Sequence, residues 1–189
     1  MVYEYLLDER LLEKTVDYVK ACKFRPIVEG PKYLYWDEED YDKNDDYGNK
    51  IRRDMKDGVL ELTPNKAHLV ANKMSCATNG LEPAYRDKCL EKLENDYDFV
   101  IHNDLVFEMV PKGFTKATAI EKVCQLFNID IKNTYAFGDG ENDLAMLEKA
   151  HVGIAMGNGS DRAKETADYV TEDLYHDGIY NALKKFGLI

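Results

Sequence analysis

Residues 135–143 read Tyr-Ala-Phe-Gly-Asp-Gly-Glu-Asn-Asp: a short apolar run that ends in a turn rich in oxygen donors, with the helical pattern Leu144-Ala145-Met146-Leu147 directly after it. In an open parallel sheet, ligands bind beyond the carboxyl ends of the strands. Asp139 falls just past such an end, and Asn142 and Asp143 fall in the first turn of the next helix. Asp139 and Asp143 can therefore approach one point. Carboxylate and amide oxygens on a rigid turn suit Mg²⁺, which keeps several waters and takes a few carboxylates plus substrate phosphate. The plain alternative is a helix start that merely favours acidic residues. Three polar groups, two glycines and a preceding buried strand weigh towards the metal reading. An EF-hand loop counted from Asp139 fails, because Leu144 stands where glycine is needed and Ala150 where glutamate is needed.

Lys116 is a second candidate. It opens a helix after Pro111-Lys112-Gly113-Phe114-Thr115, although a lysine there is ordinarily a solvated surface cation. Gly157-Asn158-Gly159, after the apolar run Val152–Met156, can turn backbone N–H groups towards an anion. Neither feature is specific alone. Together with the acidic turn, and in this order, they describe a site for a phosphorylated ligand and a cation.

The elements that must position these residues follow from periodicity. After Pro111, strand and helix patterns alternate: a helix with Ala119, Ile120, Val123 and Phe127 on one face, a buried strand Thr134–Phe137, a helix, the strand Val152–Met156, a helix capped by Ser160, a short strand Tyr169–Thr171, and a last helix expected to be capped by Asp177 and ended by Gly187. That alternation predicts a parallel sheet covered by helices. Before Pro111 the pattern is α+β with mainly antiparallel pairing. Asp8 caps a helix with Leu12, Val16 and Val19 aligned. Arg25–Glu29 and Lys32–Trp36 flank a break at Gly30-Pro31, and Asn103-Asp104 turns the hairpin Asp98–His102 to Leu105–Val110. The sequence therefore divides into residues 1–110 and 111–189. The acidic run 37–46 reads as a solvated loop.

The chain has 189 residues, a formal net charge of −11 and an apolar fraction of 44%. The charge argues against nonspecific binding to nucleic acid or to an anionic membrane surface, and the apolar fraction supports a sizeable core. No apolar run approaches the roughly 20 residues of a membrane span, and the N-terminus lacks the pattern of a signal peptide. Cys22, Cys76, Cys89 and Cys124 are scattered and read as reduced core thiols, which with the missing signal places the protein in the cytoplasm. His68, His102, His151 and His176 form no metal-ligand set. Trp36, Tyr33 and Tyr35 read as core aromatics or as lining of a substrate entrance.

The ordered set Val110-Pro-Lys-Gly-Phe-Thr-Lys116, Tyr135–Leu147, Val152-Gly-Ile-Ala-Met-Gly-Asn158, Ala167-Asp-Tyr-Val-Thr171 and Asp177-Gly178 resembles the haloacid dehalogenase (HAD) superfamily, and within it the Cof-type sugar-phosphate phosphatases. The resemblance is strong over residues 105–189 and looser over 1–104. It implies the C-terminal part of a HAD Rossmann-like parallel sheet, in residues 111–189. It also implies an α+β cap that selects substrate, in residues 1–110. By that resemblance Lys116 neutralises the phosphoryl group and the nucleophile, Asp139 is an Mg²⁺ ligand, Asp143 supports the metal shell, and Asn142 and Asn158 orient the phosphate or the nucleophile. The partner is a small phosphorylated metabolite.

The family reaction begins with an aspartate on a first strand, in D-x-D-x-[TV], that forms an aspartyl-phosphate. Asp8-Glu9-Arg10 does not match. Asp40-Tyr41-Asp42 has the letters, but acidic and aromatic residues precede it, not a buried strand. The expectation is an N-terminally incomplete chain: a phosphatase by lineage, without turnover as written, and prone to self-association through an uncovered edge at Thr134–Phe137. The rival readings are a non-catalytic remnant or interaction module, and a phosphotransferase on the same scaffold.

Overall fold

The computed structural model describes residues 3–40, 46–55 and 58–189. Its contacts divide the chain into two units, residues 1–112 and 113–189.

The first unit is built on a six-stranded sheet. Its helix α1 (Glu9–Ala21) starts at Asp8, whose carboxylate accepts from Leu11 N–H at 2.9 Å. Leu12, Val16 and Val19 recur at helical spacing and are fully buried. Strands β1 (Arg25–Glu29) and β2 (Leu34–Trp36) follow as an antiparallel pair. Next come helix α2 (Asp46–Met55), β3 (Val59–Glu61), the single-turn helix α3 (Leu62–Asn65), β4 (Lys73–Ala77), α4 (Pro83–Leu90), β5 (Tyr97–Ile101) and β6 (Val106–Pro111). The strand order is β3-β2-β1-β4-β6-β5. All pairings are antiparallel except β2 with β3. Alternate residues Val28, Met74, Cys76, Phe107 and Met109 join the α1 face in one core. A fully buried Leu12 contributes about 1.5–3 kcal/mol there, and Leu12→Ala would cost about 2–5 kcal/mol.

The acidic run departs from its expectation as a solvated loop. Asp37 is buried: it pairs with Lys20, and its Oδ1 accepts the Thr63 backbone N–H at 2.8 Å. Asp46 opens α2, while residues 41–45, including Tyr41 and Asp42 of the Asp-x-Asp spelling, lie outside the described residues. All four cysteines are free and buried.

The second unit holds the parallel sheet. Helix α5 (Lys116–Phe127) is fixed at its start by a capping box in which the Thr115 and Thr118 hydroxyls accept each other's backbone N–H, at 3.2 and 2.9 Å. Strand β7 (Tyr135–Gly138), helix α6 (Leu144–Lys149), strand β8 (Val152–Ala155), helix α7 (Asp161–Thr166), strand β9 (Tyr169–Val170) and helix α8 (Gly178–Lys185) follow. The sheet order is β7-β8-β9, parallel throughout. Small side chains, Ala136, Ala155 and Ala163, let α6 and α7 approach the sheet around Leu147. Phe186 packs against Tyr135 and Tyr169, with ring centroids 5.6 and 5.7 Å away.

Two expectations differ here. Asp177 does not cap α8 with its side chain; it sits at φ +56° and supplies only its backbone conformation. The expected core face of α5, Ala119, Ile120, Val123 and Phe127, is largely open: Ala119, Val123 and Phe127 are exposed and Ile120 is half-buried, while the neighbouring Cys124 is buried and Leu126 exposed. That face borders β7, which has no second neighbour among the described residues. A cavity of about 460 Å³ follows the border, lined by Ile120, Val123, Cys124, Ile129 and Tyr135. No helix among the described residues is long and apolar enough to cross a membrane.

Candidate active site

The site forms where β7 and β8 end. Gly138 closes β7, and a Cβ there would meet the Asp143 Cβ at 2.6 Å, so only glycine lets the turn fold back this tightly. The chain then passes through Asp139 and Gly140, and Asp143 returns beneath them. Asp143 Oδ2 accepts the backbone N–H of Asp139 at 3.0 Å and of Gly140 at 3.2 Å. Its Oδ1 lies 2.5 Å from Lys116 Nζ. Burial opposes ionisation of Asp143, but the Lys116 ammonium and the two backbone N–H groups hold its carboxyl below the ordinary carboxylate range.

The second loop closes on the first. Met156 N–H donates to Gly138 O at 2.9 Å, and Ser160 N–H donates to Asp139 O at 2.9 Å. A Cβ on Gly159 would meet the Met156 carbonyl oxygen at 2.9 Å and Asp139 Cα at 3.1 Å, so a side chain there would force the backbone of the loop to shift. The result is a cavity of about 330 Å³ whose polar side is Lys116, Asp139, Asp143 and Asn158. Phe137, Met146, Met156, Leu174 and Ile179 complete its wall.

Four of the five sequence candidates therefore line one cavity, in distinct environments. Asp139 is exposed at the strand end, where its carboxylate could meet a cation. Asp143 is buried with both oxygens already bonded, so it acts on Lys116 and on the turn. Asn142 is exposed and does not line the cavity; its Oδ1 lies 3.1 Å from the Cβ position of Gly140. Among the described residues no group of three or more His, Cys, Asp or Glu side chains is placed to hold a metal. One exposed carboxylate beside a lysine fits Mg²⁺ bound mainly through waters and a phosphate.

Sequence reasoning missed the turn at residues 173–176, whose Leu174 lines the cavity; Asp177-Gly178, just beyond it, was the available signal. It also passed over a second Asp-x-Asp spelling, Asp96-Tyr97-Asp98-Phe99-Val100. That segment opens the antiparallel edge strand β5 instead of ending a parallel one. Its Tyr97 is buried against Thr15, and its Asp98 pairs with Lys112 at 2.8 Å. It has the letters of a nucleophile motif without its placement.

A parallel sheet with helices, and a lysine and carboxylates gathered past its strand ends, define a HAD Rossmann-like core, in a chain that also carries an α+β unit. The chain belongs to the haloacid dehalogenase-like hydrolase family, whose model matches residues 1–183. Among its relatives, YkrA of Bacillus subtilis is 45% identical over 94 residues, which cover 50% of this chain and 37% of YkrA. The 5-amino-6-(5-phospho-D-ribitylamino)uracil phosphatase YcsE of the same organism is 37% identical over 105 residues, covering 54% of this chain and 42% of YcsE. These matches span less than half of either relative. The crystal structure of the HAD subclass IIB sugar phosphatase BT4131 superposes with a TM-score of 0.77 at 20% identity, covering 100% of this chain and 70% of that one. That likeness is one of fold.

Proposed function

We propose that this chain carries the phosphate- and Mg²⁺-binding half of a Cof-type phosphomonoester hydrolase, with residues 1–112 acting as the cap that selects a small phosphorylated metabolite in the cytoplasm. The observation that supports this best is Lys116 held on Asp143 directly beneath the exposed Asp139. A cation and an oxygen ligand then share one cavity wall, as binding of a phosphoryl group and its metal requires.

Each residue has a role within this reading. Lys116 neutralises charge on the phosphoryl oxygens. Asp139 offers a carboxylate to Mg²⁺, which would polarise the phosphate. Asp143 pairs with Lys116, which holds that side chain at the cavity, and stabilises the turn that carries Asp139. Asn158 meets the phosphate from the second loop. Asn142, on the exposed side of the turn, acts on the substrate only if the turn reorganises.

The covalent step requires a carboxylate that attacks phosphorus, displaces the alcohol and is then freed by water. No strand of this sheet among the described residues stands beside β7 to supply it, and neither Asp40 nor Asp96 ends a parallel strand. We therefore read the chain as it stands as a binding scaffold without turnover. A non-catalytic interaction module is the second reading, favoured by the open β7 edge and the apolar face of α5; self-association through that edge belongs to it. A phosphomonoester assay with Mg²⁺ tests the enzyme reading. Release of phosphate at or below the background of Lys116→Ala is expected, and robust Lys116-dependent release would contradict the absence of turnover.

A further inference from the structure

Asn158 is tied to a turn outside both loops of the site. Its Oδ1 accepts the Leu174 backbone N–H at 3.0 Å. A backbone N–H only donates, so the amide atom it meets is the carbonyl oxygen. The Asn158 amino group is then left for the cavity that this residue lines together with Lys116 and Asp139.

The turn itself is held by polar bonds and not by burial, since Leu174 and Tyr175 are 63% and 89% exposed. Asp173 is at its centre. Its Oδ1 accepts Tyr175 N–H at 2.8 Å and contacts His176 Nδ1 at 2.7 Å, and its carbonyl accepts Gly178 N–H at 3.1 Å. The turn is joined to the second loop again where Gly157 N–H donates to Glu172 O at 3.2 Å, and to α8 where Thr171 Oγ1 donates to Gly178 O at 2.7 Å.

We propose that Asp173 is a positioning residue: it sets the turn whose Leu174 N–H pins the Asn158 carbonyl, so that Asn158 presents its amino group as a donor to a phosphate oxygen beside Lys116. The Asn158 oxygen already accepts the Leu174 N–H, and the amino group left towards the cavity can only donate, so the group Asn158 offers there suits a phosphate oxygen and not a cation, which takes oxygen ligands. This rests on the proposed phosphate-binding role of the cavity and adds to it which atom of Asn158 faces the ligand and what holds it there.

The test titrates inorganic phosphate, with Mg²⁺ present, into the ¹⁵N-labelled 189-residue chain and follows the Asn158 side-chain NH₂ and the Leu174 amide. The Asn158 NH₂ signals are expected to shift with phosphate. Asp173→Ala should weaken phosphate binding roughly fivefold to tenfold and speed exchange of the Leu174 amide. Asp173→Asn, which keeps an acceptor for Tyr175 N–H, should restore most of both. Asn158→Asp should retain the slow Leu174 amide, because a carboxylate oxygen replaces the carbonyl. Phosphate binding that Lys116→Ala abolishes but Asp173→Ala leaves unchanged would overturn the positioning role and leave the phosphate site standing. No phosphate binding to the unaltered chain would overturn both.

Discussion

Asp143 accepts three hydrogen bonds, from Lys116 Nζ and from the backbone N–H groups of Asp139 and Gly140, while remaining 5% exposed at its side chain. One carboxylate thus ties α5 to the turn after β7 and fixes where Asp139 stands. Asp143→Ala removes all three bonds and leaves two backbone donors without their acceptor. A loss of about 2–4 kcal/mol of stability is expected by urea unfolding. A loss under 1 kcal/mol would show that the turn does not depend on this residue.

The same carboxyl sets a pH dependence. Its folded-state affinity for protons is lowered, so its contribution is present above the unfolded value of about 3.9 and is lost as pH falls through the lower folded value. Stability should therefore drop below about pH 4. Asp143→Asn should flatten that part of the profile. An unchanged acid slope in Asp143→Asn would assign it to other carboxylates, such as Asp37 and Glu108, whose affinities are also lowered.

Asp139 should behave in the opposite way. Its side chain is exposed and the turn is held by Asp143 beneath it, so Asp139→Ala should change stability by less than about 0.5 kcal/mol. The same substitution should abolish Mg²⁺ binding, which is expected to be weak with a single free carboxylate. Calorimetry giving a tight site that survives Asp139→Ala would place the metal elsewhere.

Among the described residues β7 has no neighbour on its outer side, and the exposed Val123, Leu126 and Phe127 of α5 make an apolar strip beside that edge. Light scattering should show concentration-dependent association, reduced by Val123→Lys or Phe127→Glu. A monodisperse monomer at high concentration would contradict this.

Much of this organisation was legible in the sequence because periodicity and local chemistry agreed. The α1 stripe of Leu12, Val16 and Val19, the Asn103-Asp104 hairpin and the β-turn-α run at 135–147 each carry their own signal. What escaped depends on partners distant in sequence. Asp37 looks like one charge among many in an acidic run, and its burial follows from Lys20 and Thr63, which no local pattern points to. The open face of α5 reads as core because periodicity reports that a face is apolar, not what covers it. The Asn158 carboxamide is bonded to a turn 16 residues later, so its orientation is a tertiary fact.

In the proposed function Lys116 and Asp139 act on one phosphate and one Mg²⁺. Titrating phosphate into the chain with and without Mg²⁺, alongside Lys116→Ala, Asp139→Ala and Asp96→Asn, tests it most directly. The expected result is Mg²⁺-dependent binding that both of the first two substitutions remove and Asp96→Asn leaves intact. Binding that is indifferent to Lys116 and Asp139 would contradict it.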